Sequence, residues 1–386
     1  MVRVTPRIAT LTGFSLIGGA ALAEEVIEAH HDTEYHGVRI VQVATDLEHP
    51  WGLAFLPEGG MLVTERPGHI NRVEDGRVER LSGGPDRIHA RNQGGMLDIT
   101  LHPDFTDNRW VYFTYARGDA NETTVALARA RLDDGAPRLT DLEEIFVADA
   151  AATPGRHYGS RIDFKPDGTL LMTVGDRGDD EHDPDTHRAQ DTGDHVGTTL
   201  RLNDDGSVPG DNPFMADDQV RDEIYSYGHR NAQGQFIHPE TGAIWQTEHG
   251  PRGGDELNRV QAGNNYGWPI ISHGRDYATQ EQIGIGRHAE GMESPIRDWT
   301  PAIAPSGLDH YSGQAFPRWE GDFLAGALVR PAIRRVVIED ETVVHEEEIL
   351  RDTVGRVRAV EEGPGGHIYL LTDESDGGIY RLEPAD

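Results

Sequence analysis

Residues 165–174, which read KPDGTLLMTV, join a tight turn to a short apolar strand, and this combination recurs along the chain. Similar turns occur at 56–60 (LPEGG), 102–104 (HPD), 238–242 (HPETG) and 362–366 (EGPGG). Proline and glycine favour the turn, and the alternating apolar residues after it are typical of a strand. A unit that recurs at intervals of roughly 50 residues has the length of one four-stranded propeller blade.

A sixth unit is predicted at 307–337, where GLDHYSG and WEGDFLAGAL flank strand-like segments. The chain is therefore predicted to be all-β, a six-bladed β-propeller of four-stranded antiparallel blades in one domain, residues 24–386. The polar segments 176–193 and 273–299 are expected to form loops on one face. A sandwich or a pair of barrels is the alternative, which the repeated turn makes less favourable.

Residues 1–23 are predicted to be a secretory signal that is cleaved before Glu24. Arg3 and Arg7 precede an apolar run over 8–22, which closes with Ala21, Leu22 and Ala23. The alternative is a membrane anchor, but the run is shorter than the ~20 residues that span a bilayer and is broken by glycines. The sequence thus predicts a periplasmic or secreted protein with no membrane insertion after signal cleavage.

The composition excludes several functional classes. The 386 residues include 35 basic and 67 acidic ones, for a net charge of −32, which opposes binding to nucleic acid or to an anionic membrane. The chain has no cysteine, so disulfides, thiolate metal sites and cysteine nucleophiles are excluded.

Residues 228–268 concentrate polar groups that could bind an anion and a metal. Arg230 offers a planar set of donors, and Asn231 beside it can donate or accept. Gly250 and Pro251 present backbone carbonyls on an irregular loop, and Glu256 follows closely. Hard oxygen donors of this kind favour calcium over a soft metal.

His157 and Asp176 flank two predicted strands that would form one hairpin. The loop before the first strand and the loop after the second lie at the same edge, so Asp176 can approach His157. A histidine held by a carboxylate is a competent general base near neutral pH. The spacing alone favours a structural histidine.

Longer blocks of sequence carry a family resemblance. They are HPWGLAFLPEGGMLVTERPG from His49, QGGMLDITLHPDF from Gln93, RHYGSRIDFKPDGTLLMTVGDRGD from Arg156, residues 228–268, and GRVRAVEEGPGGHIYLLTDESDGGIYRL from Gly355. With these blocks the chain resembles the soluble quinoprotein glucose and aldose sugar dehydrogenases, which use pyrroloquinoline quinone (PQQ) and calcium. The resemblance covers nearly the whole chain after the signal.

The resemblance implies roles for individual residues. His157 would be the catalytic base, Asp176 would orient it, and Arg230 would stabilise the developing charge. The implied contacts to PQQ are Gln93, Arg230, Asn231, Tyr277, Ala327, Leu328, Val329, Arg356, Val357 and Arg358. The implied calcium ligands are the Gly250 and Pro251 carbonyls for an ion that touches PQQ, and Glu256 with the Tyr266 carbonyl for a structural ion.

Two positions depart from the family pattern. Arg156 replaces the aspartate that precedes the base in glucose-specific members, and Val329 replaces a lysine that relatives carry. Arg330, the nearest cation, is expected to point to the opposite face of a strand. Loss of the lysine could weaken PQQ binding, or another arginine could substitute for it from elsewhere in the chain.

The resemblance implies oxidation of aldose sugars at the anomeric carbon to lactones, with electrons passed to an external acceptor such as a quinone, a cytochrome or a dye. Two other functions stay open: a non-catalytic sugar- or protein-binding propeller that has lost PQQ, and a calcium-dependent lactonase. The preferred sugar and the choice between monomer and homodimer are also open.

Overall fold

A computed structural model of the chain describes residues 24–153, 155–179, 182–183 and 185–385, and nearly all regular structure in it is β. Two strands come first, β1 (Glu25–Asp32) and β2 (Gly37–Leu47). Blade 1 follows, with β3 (Pro50–Phe55), β4 (Met61–Glu65), β5 (His69–Glu74) and β6 (Arg77–Arg80). Blade 2 contains β7 (Met96–Leu101), β8 (Trp110–Gly118), β9 (Thr123–Leu132) and β10 (Leu139–Val147).

Blade 3 contains β11 (Ile162–Phe164), β12 (Leu170–Val174), β13 (Thr198–Leu202) and β14 (Ile224–Tyr227). Blade 4 contains β15 (Ala232–Ile237), β16 (Ile244–Glu248), β17 (Asp255–Val260) and β18 (Arg297–Trp299). Blade 5 contains β19 (Pro305–His310), β20 (Phe323–Ala327), β21 (Ala332–Glu339) and β22 (Thr342–Ile349). The last strands are β23 (Val357–Glu362), β24 (Ile368–Thr372) and β25 (Gly377–Pro384). The helical elements are α1 (Phe105–Asn108) and three 3₁₀ turns, at Arg188–Gln190, Pro317–Trp319 and Pro364–Gly366.

The predicted six-bladed propeller is confirmed, with one difference in its closing blade. Blades 1 to 5 are four-stranded antiparallel sheets, whereas blade 6 has five strands in the order β1-β2-β25-β24-β23. The chain therefore closes the ring by pairing a strand near its start, β2, with its last strand, β25. This pairing covers the outer edge of β25 and makes β1 the outermost strand of the closing blade.

The first strand of each blade lies innermost, and neighbouring first strands contact one another around the axis. Each recurrent turn predicted from the sequence joins the first and second strands of a blade, as residues 165–168 join β11 to β12. Because these strands are antiparallel, the loop before the first and the loop after the second lie on the opposite face. We call that opposite face the upper face.

The hydrophobic core lies between blades. One cluster of buried apolar residues fills each of the six interfaces between neighbouring blades. Phe113, for example, is fully buried between blades 1 and 2. A side chain of this kind contributes about 1.5–3 kcal/mol when it is fully buried. The packing therefore holds each blade from both sides and fixes the loops of the upper face relative to one another.

In the described residues of the predicted loop segments 176–193 and 273–299, the regular structure is limited to the 3₁₀ turn at Arg188–Gln190 and the short strand β18. The predicted signal, residues 1–23, lies outside the described residues. No helix in the described part of the chain is both long and apolar enough to cross a membrane.

Candidate active site

His157 and Asp176 are in contact on the upper face, as the hairpin geometry predicts. His157 precedes β11, Asp176 follows β12, and Nδ1 of the histidine lies 2.6 Å from Oδ1 of the aspartate. The other carboxylate oxygen, Oδ2, accepts a hydrogen bond of 2.9 Å from Trp268 Nε1. Since the carboxylate accepts the Nδ1 proton, the neutral imidazole has its lone pair at Nε2.

The surroundings of the pair keep the histidine neutral and the aspartate ionised. Burial lowers the pKa of His157, and the charge of Asp176 offsets that effect only in part. Burial would raise the pKa of Asp176, but His157, Arg230 and the Gly178 N–H outweigh burial and lower that pKa to about 2. A neutral imidazole beside an ionised carboxylate can accept a proton at Nε2.

Arg230 and Asn231 lie beside this pair, at the start of blade 4. The Arg230 guanidinium donates to the backbone carbonyls of His249 (3.0 Å) and Gly250 (2.7 Å) and lies 5.1 Å from the centre of the Trp268 ring. Asn231 Oδ1 accepts from the Gly159 N–H at 3.1 Å. The Nε of Arg230 and the Nδ2 of Asn231 are buried without a hydrogen-bond partner in the protein. Both donors are available to a ligand.

An arginine-lined cavity of about 280 Å³ opens on the same face. Its lining comes from five of the six blades or the loops that precede them: His49, Arg66, Gln93, Gln233, His249, Ala304, Leu328, Val329, Arg356, Arg358 and Asp373. Gln93 links the cavity to the base, because its Oε1 accepts a hydrogen bond of 2.8 Å from the His157 N–H. We call this space the arginine cavity.

Three arginines of the arginine cavity surround one carboxylate. Asp373 lies 2.8 Å from Arg358, 3.2 Å from Arg66 and 3.5 Å from Arg356, and it also contacts His49 Nδ1 at 2.8 Å. Burial would raise the pKa of Asp373, but Arg358 and Arg66 hold it well below its usual range. Three fixed positive charges against one negative charge leave the cavity cationic in a protein whose net charge is −32. Such a cavity favours a ligand with several acidic groups.

A second, much smaller cavity of about 10 Å³ lies behind Arg230. The four predicted metal ligands, Gly250, Pro251, Glu256 and Tyr266, all line it, together with Glu248. Carboxylates and backbone carbonyls are the donors that calcium prefers, and the volume is about that of one bound water or ion. The residues therefore fit calcium, and their predicted division between two ions stays a prediction.

The electrostatics of this small cavity favour a cation. Burial and the neighbouring Glu248 raise the pKa of Glu256 well above its usual range. Glu248 itself is buried and accepts hydrogen bonds from His229, Asn258 and the Arg230 N–H. In the described part of the chain, no group of three or more His, Cys, Asp or Glu side chains is arranged to hold a metal ion.

The remaining residues predicted to contact the cofactor lie in three kinds of place. Gln93, Leu328, Val329, Arg356 and Arg358 line the arginine cavity, whereas Ala327 and Val357 are fully buried in the core between blades. Tyr277 is largely exposed at 62%, and its hydroxyl donates to the Pro251 carbonyl at 2.9 Å. Arg330 is exposed and does not line the cavity, but it lies in the turn between β20 and β21 and not on the expected strand.

Sequence reasoning missed several residues of the site. They are His49, Arg66, Gln233, His249 and Asp373 in the arginine cavity, and Glu248 in the small cavity. Arg66, His249 and Asp373 share a position that the sequence does show: each directly follows the second strand of its blade. That position places a side chain on the upper face, so it could have identified all three.

Comparisons with known proteins agree with this fold and identify a family. The glucose/sorbosone dehydrogenase family profile matches residues 47–381. Aldose sugar dehydrogenase YliI of Escherichia coli is 37% identical over 350 residues, which cover 89% of this chain and 92% of that protein. Quinoprotein glucose dehydrogenase B of Acinetobacter calcoaceticus is 28% identical over 406 residues, which cover 86% and 84% of the two chains.

A solved structure extends the comparison. The PQQ-bound form of aldose sugar dehydrogenase from Streptomyces coelicolor has a TM-score of 0.74 and 27% identity, and the match covers 94% of this chain and 99% of that one. The family match spans most of the chain, and the relatives are matched over most of their length. The chain belongs to the glucose/sorbosone dehydrogenase family.

Proposed function

We propose that this protein oxidises aldose sugars at the anomeric carbon to lactones, using PQQ and calcium, and passes the electrons to an external acceptor. The observation that carries the proposal is the position of the arginine cavity beside the His157–Asp176 pair. Gln93 contributes to both, since it lines the cavity and binds the His157 N–H. An acidic redox cofactor in the cavity would therefore lie beside a general base.

The residues of the arginine cavity fit the three carboxylates of PQQ. Arg66, Arg356 and Arg358 supply the positive charge, and the Nε atoms of Arg66 and Arg358 are buried without a partner in the protein. Arginine pairs with carboxylates through parallel N–H donors, which gives both energy and orientation. The unpaired Nε of Arg230 supplies one more donor near the pair.

His157 would take the proton of the anomeric hydroxyl at Nε2, because Nδ1 is held by Asp176. Asp176 keeps the imidazole in one tautomer and stabilises the charge that it gains. Arg230 would offset negative charge that develops nearby. When bound, PQQ supplies a two-electron acceptor for hydride, and calcium supplies Lewis-acid polarisation.

The relatives support the proposal. One of them is named a quinoprotein glucose dehydrogenase, and a matched structure is a PQQ-bound aldose sugar dehydrogenase. Glu248, Glu256 and the carbonyls around the small cavity would hold calcium. We further propose export from the cell, which the predicted signal at 1–23 supports, and an electron acceptor that is a quinone, a cytochrome or an artificial dye.

Reduction of a redox dye tests the proposal directly. Purified protein is assayed with glucose and other aldoses, with and without added PQQ and Ca²⁺, beside the variants His157→Ala and His30→Ala. His30 is an exposed histidine far along the sequence from the site and serves as the control. We expect activity only when both additions are present, loss of about 10²–10⁴-fold in His157→Ala, and little change in His30→Ala.

Two outcomes would contradict the proposal. Absence of both dye reduction and a PQQ-dependent thermal shift would favour the non-catalytic propeller. Calcium-dependent hydrolysis of a lactone without any dye reduction would favour the lactonase.

A further inference from the structure

Arg66 supplies the arginine cavity with a cation that the sequence did not predict. Arg356 and Arg358 both belong to blade 6, whereas Arg66 follows β4 in blade 1. Val329, where the resembling family carries a lysine, also lines the cavity but is apolar and about half exposed. Arg66 thus brings positive charge to a cavity that lacks the lysine.

Arg66 is placed to bind a ligand. Its Nη2 lies 3.2 Å from Asp373 Oδ1, and its Nε is buried with no hydrogen-bond partner in the protein. A carboxylate of a ligand could therefore bind Nε without displacing Asp373. The side chain is 16% exposed, so the charge is only weakly screened by water.

Arg66 also holds the turn that carries Gln93. Its Nη1 donates to the Asn92 carbonyl, and its own carbonyl accepts from the Met96 N–H at 3.1 Å. Between these contacts lies Gly95, with φ +150°, where a Cβ would come within 2.0 Å of the Arg66 carbonyl oxygen. The turn is therefore packed directly on Arg66.

The same turn is attached to the segment of the base. The Gln93 N–H donates to the Gly155 carbonyl at 3.0 Å, and Gln93 Oε1 accepts from the His157 N–H at 2.8 Å. A continuous series of contacts thus leads from Asp373 through Arg66, Asn92 and Gln93 to His157. His157 has φ +54°, a backbone conformation that neighbouring contacts must stabilise.

We propose that Arg66 has two roles: it binds an acidic group of the cofactor in the arginine cavity, and it positions His157 through the turn that carries Gln93. This inference rests on the proposed function, because it takes PQQ as the ligand. The first role depends on the positive charge of the guanidinium and its free Nε donor. The second depends on the hydrogen bond from Nη1 to the Asn92 carbonyl.

The first role is tested by measuring the affinity of the purified protein for PQQ in excess Ca²⁺. Binding is monitored by the quenching of tryptophan fluorescence. The proteins compared are wild type, Arg66→Gln, Arg66→Lys, Arg66→Gln with Val329→Lys, and Arg77→Gln. Arg77 is an exposed arginine of the same blade, with 60% of its side chain exposed, and controls for the change in net charge.

We expect Arg66→Gln to bind PQQ about 10- to 100-fold more weakly, since it removes a charged hydrogen bond. Arg66→Lys and the Arg66→Gln/Val329→Lys double variant should recover most of this loss, and Arg77→Gln should bind as wild type. Unchanged affinity in Arg66→Gln would overturn the first role. Failure of the wild type to bind PQQ would overturn the proposed function itself, and this inference with it.

The pH profile of dye reduction at saturating PQQ tests the second role. In Arg66→Gln the turn is released and His157 becomes more hydrated, so the acid limb of the profile should move to higher pH. Val329→Lys restores charge but not the contact with Asn92, so the double variant should keep the shifted limb. A double variant with the wild-type profile would overturn the positioning role. Thermal unfolding of each variant separates loss of fold from loss of either role.

Discussion

Glu248 on β16 is the direct cross-strand partner of Glu256 on β17, and Asp298 on β18 continues the same row. Cross-strand partners project from the same side of a sheet, so three carboxylates lie side by side. Burial and the charge of Glu248 together raise the pKa of Glu256 well above its usual range. Like charges in this position destabilise the sheet unless a proton or a cation compensates them.

Calcium should therefore stabilise the fold at the small cavity, which Glu248 and Glu256 both line. We expect added Ca²⁺ to raise the midpoint of thermal unfolding of the wild type, and a chelator to lower it. At a free Ca²⁺ concentration of 100 times the dissociation constant, binding adds about 2.7 kcal/mol to the free energy of unfolding. In Glu256→Gln the row loses one charge, so the response to Ca²⁺ should largely disappear while the metal-free protein is no less stable.

Glu290→Gln is the control for the calcium experiment, because Glu290 is an exposed glutamate of the loop that leads to β18. It should respond to Ca²⁺ as the wild type does. An equal calcium response in Glu256→Gln would show that the ion binds elsewhere.

The dependence of kcat/KM on pH should report the His157–Asp176 pair. The base acts in its neutral form, and burial, with a further contribution from Arg230, lowers its pKa below the ordinary 6.5. The acid limb should therefore lie below pH 6.5. Asp176→Asn removes the negative charge that opposes this shift, so the limb should move to still lower pH, with kcat reduced about 10²-fold. A limb that moves upward in Asp176→Asn would contradict this assignment.

Trp268 should contribute to catalysis through its indole N–H. Trp268→Phe keeps an aromatic ring beside Arg230 but removes the donor to Asp176 Oδ2. We expect kcat to fall about 5- to 100-fold, the effect of losing a hydrogen bond to a buried charged group. Trp299→Phe is the matched control. Trp299 lies on β18, the outermost strand of blade 4, and the substitution removes its N–H bond of 3.0 Å to Glu346 of blade 5. Equal effects of the two substitutions would argue for a structural role.

Asp163 should destabilise the protein as the pH rises. It lies with Asp98, Asp309 and Glu361 around a cavity of about 330 Å³ that the innermost strands form. Burial, Asp98 and Asp309 raise its pKa from 3.8 to about 7. The native state therefore binds more protons than the unfolded state between these values, and the free energy of unfolding falls as the pH rises from 4 to 7.

Asp163→Asn should remove this effect. We expect about 1–3 kcal/mol of added stability at pH 8 and little change at pH 4, measured by denaturant unfolding. Asp86→Asn, at an exposed aspartate, should change neither value. A stabilisation that is the same at both pH values would contradict the titration of Asp163.

The sequence predicts the blades well because five of the six blades have a similar turn between their first and second strands. The turn at 165–168 and its counterparts all join first and second strands, so their recurrence reports the architecture directly. The closing strand β2 carries no such turn, and its pairing with β25 depends on contacts between the ends of the chain. The sequence therefore did not predict that β2, with β1 paired to it, would give blade 6 a total of five strands.

The site was predictable where local geometry decides it. His157 and Asp176 are brought together by one hairpin, and Arg358 on β23 and Arg356 directly before that strand both line the arginine cavity. Arg66 and Asp373 come from different blades, and their separation of 3.2 Å results from ring closure. The proposed calcium ligands are partly backbone carbonyls, which any residue carries, so their sequence identity gives no signal.

The pairing of β2 with β25 also sets the order in which the protein can be made. Arg358 lies on β23, and Arg356 and Asp373 directly flank β23 and β24, which share a sheet with β25. Until β25 pairs with β2, blade 6 is not joined to the start of the ring, so Arg66 of blade 1 is not held against Asp373. A cofactor site of the proposed kind would therefore be complete only after the ring has closed, so cofactor uptake would follow folding of the whole propeller.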